Sequence, residues 1–299
     1  MFISQWFRLL RLVILLSCLQ LLGACASGTR QVKTDPGFSA LAAEEMQKPQ
    51  NLVNTRPQQV KIDPGFTPLA AKEIQKLQNL VNTRPIGERI AFWGEQFIGA
   101  PYDIDPLGEY VRSEKVVCDY RVDCMYLVFR AVELAQANTP EGAIDRSLDL
   151  RFRTRGRIEG GRVVNYDERF AYAETMISSG RWGRDITAQL GESTEIQGQQ
   201  QGEKTPMLSR DELLKPEVYG KLKTGDLVFF VEDPTKRSAG EIIGHLGIVK
   251  LERGSLYLIH ASGLKSSVER SGGGEVKKVD LIEYVAHMKF IGAKFTRFE

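Results

Sequence analysis

Cys124 stands at the start of a segment in which apolar residues recur at helical spacing. Asp123 precedes it and is a favourable helix N-cap, so the sequence places the thiol in the first turn of a helix. The unpaired amides and the dipole of a helix start favour an anion, and we therefore expect a lowered thiol pKa. Since the thiolate is the reactive form of cysteine, the position favours a nucleophile. A small, inert core cysteine is the alternative interpretation.

The chain contains three histidines, and two of them, His245 and His260, fall in consecutive predicted strands. If residues 252–255 connect these strands, position 247 opposes position 260. The two histidines then lie diagonally on one face, roughly 7–8 Å apart. A three-residue loop would instead place them on opposite faces. A zinc site in which Cys124 supplies the third ligand is an open alternative.

A cysteine, a histidine and a third polar group form the thiol version of the nucleophile, base and orienter arrangement. In this interpretation Cys124 attacks an amide carbonyl and His245 takes the thiol proton. The Cys124 backbone N–H is a candidate oxyanion donor because it lies at a helix start. The arrangement requires no metal and no organic cofactor.

The elements that must position these groups change character along the chain. Apolar periodicity predicts helices first and strands later, which is an α+β arrangement with N-terminal helices packed on an antiparallel sheet. The predicted helices are 69–80, 86–98, 123–136, 167–178 and 279–287; the predicted strands are 151–157, 226–231, 244–251, 255–261 and 289–298. We expect the polar stretch 191–206 to be a loop.

Several short motifs occur in an order that resembles the NlpC-type papain-like peptidoglycan cysteine hydrolases. The motifs are Gly99-Ala-Pro-Tyr102, Asp123-Cys124, Gly225-Asp-Leu-Val-Phe-Phe230, His245-Leu-Gly-Ile-Val249 and Ile259-His-Ala-Ser262. Two further segments, Asp105-Pro-Leu-Gly-Glu109 and Asp185-Ile-Thr187, are similar to the N-acetylmuramoyl-L-alanine amidase-like branch. The resemblance covers about residues 86–298. The sequence departs from the pattern at Met125-Tyr126, where small residues are commoner, and in having Cys118.

The resemblance implies a papain-like α+β core with Cys124, His245 and His260 as the triad and Tyr102 beside the thiol. Asp123 and Ser262 join Tyr102 as candidate oxyanion or substrate residues. It further implies hydrolysis of peptidoglycan or its fragments at the N-acetylmuramoyl-L-alanine amide through a thioester. A D-glutamyl-diamino-acid endopeptidase and an inactive wall-binding protein are the alternatives, and an acyltransferase on the same fold is a third.

The first 24 residues have the pattern of a secretory signal, with Arg8 and Arg11 followed by the apolar run 12–22. The run ends in Leu22-Gly-Ala-Cys25, which is similar to the lipobox of bacterial lipoproteins. We therefore expect a lipid on Cys25 and an anchor on the periplasmic face of the outer membrane of a Gram-negative bacterium. A non-lipidated signal or a signal anchor is the alternative. The formal net charge of +2 gives no electrostatic case for nucleic acid as a partner.

Residues 31–57 and 59–85 are a tandem duplication, and the copies agree at 21 of 27 positions. The important difference is Pro49 against Leu77, because a proline removes a backbone donor and clashes inside a helix. The sequence therefore predicts a lipid-anchored linker over 25–58, a docked helix in 59–85 and a catalytic domain over 86–299. A duplication without function is an equally open interpretation.

Two further groups of side chains have structural interpretations. We expect an arginine-rich stretch to be a solvated face, with members at positions 146, 151, 153, 155, 157 and 162. Cys118 and Cys124 would share an oxidising compartment, where a disulfide is the ordinary alternative. We expect no stable bridge between them, since a bridged nucleophile is inert.

Overall fold

The computed structural model describes residues 66–198, 204–237, 241–263 and 273–299, which contain ten α-helices, two short 3-10 helices (Tyr166–Glu168 and Pro234–Lys236) and ten strands. The α-helices are α1 Ala71–Val81, α2 Ile86–Glu95, α3 Glu109–Arg112, α4 Cys124–Gln136, α5 Pro140–Leu150, α6 Ala173–Ser178, α7 Thr187–Leu190, α8 Arg210–Leu213, α9 Pro216–Tyr219 and α10 Leu281–His287. The strands are β1 Ile158–Glu159, β2 Arg162–Val163, β3 Arg184–Asp185, β4 Thr194–Gln197, β5 Lys204–Ser209, β6 Leu227–Val231, β7 Ile243–Glu252, β8 Ser255–Ser262, β9 Glu275–Asp280 and β10 Gly292–Arg297.

Helix α4 is the centre of the helical half. The Asp123 carboxylate accepts a hydrogen bond from the Tyr126 amide at 2.6 Å, which confirms the predicted N-cap. Every residue from Tyr126 to Ala135 is buried, so the helix is covered on all sides. It packs against α2 and α5 and, on its other side, against β7 and β8. The start of the helix is therefore held beside the sheet.

The main sheet is antiparallel throughout and has the strand order β4-β5-β10-β6-β7-β8-β9, with β3 paired to β10. Arg253 and Gly254 form the two-residue turn between β7 and β8, with φ values of 52° and 83°. These left-handed conformations match the turn that best continues the strand twist. Ile248 pairs with Ile259, so the predicted register, in which 247 opposes 260, is confirmed. An α+β fold with N-terminal helices on an antiparallel sheet is the observed architecture.

Two expectations about the middle of the chain are wrong. Residues 151–157 form no strand; Phe152 makes only an isolated bridge with Arg169, and the short β1–β2 ladder follows. The polar stretch 191–206 contains β4 and the start of β5, which pair with each other. Cross-strand pairing outweighs weak local propensity here, because β5 also bonds to β10 in the sheet.

The second repeat copy contributes α1 to the same compact unit as the rest of the described residues. Ile74 belongs to the main core, and Leu69 and Leu77 pack against it. The buried Gln78 amide donates to the carbonyls of Ala137 and Thr139, both at 3.2 Å, which ties α1 to the loop after α4. The helix over 69–80 was thus correctly predicted. The first copy, the signal and Cys25 lie outside the described residues, and no helix within those residues is long and apolar enough to cross a membrane.

Candidate active site

Cys124 occupies the first position of α4 and is half-buried. Backbone amides of Leu246 and of Cys124 itself form hydrogen bonds to the thiol that favour its anionic form. Leu246 follows His245 in β7, so this contact places the thiol beside the strand that carries the candidate base.

The thiol pKa is nevertheless raised, to about 12, and the expectation of a lowered value is wrong. Burial is the largest cause, because it penalises the charged thiolate, and the nearby Asp123 carboxylate adds to it. Burial raises the pKa of Asp123 as well, to about 6. The thiol is thus neutral at pH 7, and a nucleophilic role would require a base at the moment of attack.

His245 and His260 meet directly. The Nε2 atom of His245 lies 2.8 Å from Nδ1 of His260, so one proton is shared between the two rings. This contact leaves the Nδ1 atom of His245 free to face another group. An imidazole held through one nitrogen and free at the other is the arrangement that a general base requires.

Aromatic rings enclose this imidazole pair. The rings of Phe230 and Phe290 stack on His245 at centroid distances of 6.0 Å, and the Tyr284 ring lies 5.1 Å from that of His260. Burial lowers the pKa of His245 to about 3, with a further contribution from His260. Burial also lowers the pKa of His260, to about 4. Both imidazoles are therefore neutral at pH 7 and able to accept a proton.

A cavity of about 720 Å³ opens beside the histidines. Its lining comprises Tyr102, Gly244, His245, His260, Ser262, Gly263, Val279, Asp280, Glu283, Tyr284, His287, Met288, Lys289 and Phe290. Tyr102 and Ser262 thus face the same space as the imidazole pair, whereas Asp123 serves as the helix cap and Cys124 is not a lining residue. The pKa of the Tyr102 hydroxyl is raised by burial and then by the charge of a Cys124 thiolate.

Sequence reasoning missed one whole wall of this cavity. Helix α10 and the segment after it supply Glu283, Tyr284, Lys289 and Phe290. The predicted helix over 279–287 was the only available signal, since nothing in the local pattern shows which face of that helix meets β7 and β8.

The structure also bears on the zinc and disulfide alternatives. Within the described ranges, no group of three or more His, Cys, Asp or Glu side chains is placed to hold a metal ion. Cys118 and Cys124 are both free thiols. Cys118 is buried, and burial raises its pKa to about 11, so it too rests as a neutral thiol.

A buried ionic network lies along the same helix as the thiol. Arg130 donates two hydrogen bonds to Asp119 at 2.9 and 3.0 Å, and Arg151 donates two to Glu133 at 2.6 and 2.7 Å. Tyr126 donates to Asp119 at 2.7 Å, which connects the network to the first turn of α4. Arg151 is only 2% exposed, so the expectation of a solvated arginine face is wrong for this residue.

Comparison with known proteins gives a fold but no family. No family model matches the chain, and no curated protein does. An N-acetylmuramoyl-L-alanine amidase from Bacteroides uniformis matches with a TM-score of 0.54 and 18% identity, covering 72% of this chain and 99% of that one. The chain has the fold of that amidase structure.

Two further structures extend the same comparison. A Legionella pneumophila protein of the DUF1460 family matches with a TM-score of 0.55 and 17% identity, over 75% of this chain and 93% of that one. A candidate xylanase from Bacteroides fragilis matches with a TM-score of 0.53 and 20% identity, over 70% and 100%. The activity must therefore be argued from the site, because one fold supports different chemistries.

Proposed function

We propose that this protein is a cysteine amidase that hydrolyses the N-acetylmuramoyl-L-alanine bond of peptidoglycan or its fragments. The observation that carries the proposal is the neutral His245–His260 pair beside the first residue of α4. One nitrogen of His245 contacts the partner ring, the other makes no hydrogen bond within the described residues, and Cys124 begins α4 beside the same strand. The fold shared with the Bacteroides amidase supports the choice of substrate.

The reaction follows from these positions. His245 takes the Cys124 proton through Nδ1 as sulfur bonds to the carbonyl carbon, and the Cys124 backbone N–H stabilises the oxyanion. The imidazolium then protonates the leaving amine, the C–N bond breaks and a thioester remains. Water loses a proton to His245 and attacks the thioester, which releases the acid and restores the thiol. His260 holds the base in position throughout.

Glycoside hydrolysis fits the site less well. It commonly requires two carboxyl groups that flank the scissile bond. The cavity lining contains two acidic residues, Asp280 and Glu283, and Asp280 is engaged as the N-cap of α10 through the Glu283 amide at 2.8 Å. A carboxylate already committed to a helix start is poorly placed to act as an acid or a nucleophile.

The deciding experiment is product analysis by mass spectrometry after incubation of the protein with an N-acetylmuramoyl tripeptide. Release of free muramic acid derivative plus intact tripeptide is the expected outcome. Release of the diamino acid, leaving the sugar with L-Ala and D-Glu, would identify the endopeptidase instead. An unchanged substrate with retained binding would identify a wall-binding protein.

We further propose that Cys25 carries the lipid that holds the protein on the periplasmic face of the outer membrane. The lipobox-like sequence before Cys25 supports this proposal. Metabolic labelling with a fatty-acid analogue should mark the wild-type protein and leave Cys25→Ser unlabelled. Equal labelling of both proteins would show that the anchor lies elsewhere.

A further inference from the structure

Tyr284 contacts the reactive groups from an element that the triad does not include. It projects from α10, and its ring lies 5.1 Å from the His260 ring and 6.4 Å from the His245 ring. The ring also packs 5.1 Å from Phe230. The side chain is therefore fixed by packing while it lines the cavity.

The hydroxyl of Tyr284 has no committed role in the fold. Across residues 66–198, 204–237, 241–263 and 273–299, no hydrogen bond from the protein reaches it. Its pKa is raised by burial and then by the charge of a Cys124 thiolate, the same two leading causes that act on Tyr102. Tyr102 and Tyr284 thus line the same cavity from separate elements, beside the histidine pair.

A phenol that lines a cavity and has no protein partner is available as a hydrogen-bond donor. It gains a partner when a negative charge develops within reach, and a preorganised donor of this kind is an effective means of stabilising a transition state. Packing against Phe230 and His260 supplies the preorganisation, since the ring cannot swing away without disturbing both.

We infer that Tyr284 is a further catalytic residue, whose hydroxyl donates a hydrogen bond to the oxyanion formed when Cys124 attacks a carbonyl. The inference deepens the proposed amidase reaction and rests on Cys124 as its nucleophile. No proton is transferred to or from Tyr284 in this role; it adds a donor to the one supplied by the Cys124 amide.

Two reactions of Cys124 separate this role from a purely structural one. Acylation by p-nitrophenyl acetate forms an oxyanion and releases p-nitrophenolate, whereas alkylation by iodoacetamide displaces iodide without forming one. Tyr284→Phe keeps the ring and removes the hydroxyl. Loss of one oxyanion donor costs roughly 10²–10³-fold, so the acylation burst of this variant should slow by about that factor. Its alkylation rate at Cys124, followed by mass of the modified peptide, should stay at the wild-type value.

The matched control is Tyr257→Phe, which removes a hydroxyl from β8 at a ring that packs on Lys278 and does not line the cavity. It should leave both rates unchanged, and Cys124→Ala defines the background of the burst. Parallel loss of acylation and alkylation in Tyr284→Phe would assign the tyrosine to packing and overturn the inference, as would an unchanged burst. A slowed burst in a protein that leaves the muramoyl tripeptide intact would retain the inference and reject the proposed substrate.

Discussion

The two ends of helix α4 carry buried polar groups of opposite kinds. At its start, Cys124 lies beside Leu246 in the strand that carries His245, and the neutral His245–His260 pair lines a cavity. Further along, Arg130 and Glu133 belong to a network in which two positive and two negative charges compensate one another. A fully paired network rigidifies a structure, whereas a partly paired site retains reactivity. The same helix thus carries a paired ionic network and, at its first residue, the candidate nucleophile.

The largest effect is expected at the reactive end. Cys124→Ala and His245→Ala should each lower hydrolysis by at least about 10³-fold, because the nucleophile and its base act as a unit. His260→Ala should cost less, since it orients the base. Turnover of the muramoyl tripeptide is the measurement. Cys118→Ala is the matched control and should stay active; full activity in Cys124→Ala would end the proposal.

Substitutions in the buried ionic network should lower the free energy of unfolding rather than catalysis. Arg151→Ala leaves the buried Glu133 with only the 3.4 Å contact from Arg130, and such loss of a buried partner costs about 3–5 kcal/mol in the free energy of unfolding. Arg155→Ala is the control variant, because the ion pairs of Arg155 with Asp145 and Asp149 are exposed. Exposed pairs contribute about 1 kcal/mol or less to the free energy of unfolding. Denaturant unfolding of both variants tests the contrast. Equal losses would show that the network is no stronger than a surface ion pair.

The docked helix α1 should depend on the residue that distinguishes the two repeat copies. Leu77→Pro places in the second copy the residue that the first has at position 49, and it should destabilise α1 by about 3 kcal/mol. Limited proteolysis should then cut within Ala71–Val81, while Lys76→Ala, an exposed change on the same helix, should leave it protected. Resistance of the proline variant would refute the proposed role of this difference.

The pH dependence of stability again separates the start of α4 from the ionic network. His245 and His260 have folded-state pKa values of about 3 and 4, below the unfolded value of about 6.5. The unfolded chain therefore binds their protons first, so stability is full above pH 6.5 and declines as the pH falls toward the folded values. The slope is up to about 1.4 kcal/mol per pH unit for each histidine.

The network responds only at lower pH. Burial works to raise the pKa of Asp119, but the charge and hydrogen bonds of Arg130 outweigh it and the net direction is downward. Its stabilising effect is present above the unfolded value of about 3.9 and is lost below it. Asp123, with its raised pKa, acts in the opposite sense between about pH 6 and 4.

A double variant isolates the histidine contribution. His245→Gln combined with His260→Gln should remove the decline between pH 6.5 and 4.5 relative to the wild type, while the Asp123 contribution, present in both proteins, cancels. His287→Gln, at an exposed position, is the control. A decline of equal slope in wild type and double variant would show that these imidazoles are not held neutral.

Local sequence determined the features that depend on neighbours along the chain. The Asp123 cap and apolar spacing predicted α4 and the place of Cys124 in it. Strand alternation together with a short connection predicted the register that brings His245 and His260 together. These features were predictable because helix starts and tight turns are set by a few consecutive residues.

Tertiary structure alone decided the properties that depend on what surrounds each group. The raised thiol pKa arises from burial and Asp123, which outweigh the helix start that the sequence shows. The burial of Arg151 follows from Glu133, a partner 18 positions away. Tyr284 reaches the histidines because α10 folds back over β8, and no local pattern encodes that contact. Solvent exclusion is a collective property of packed elements, which is why the sequence identified the candidate reacting groups but not their protonation states.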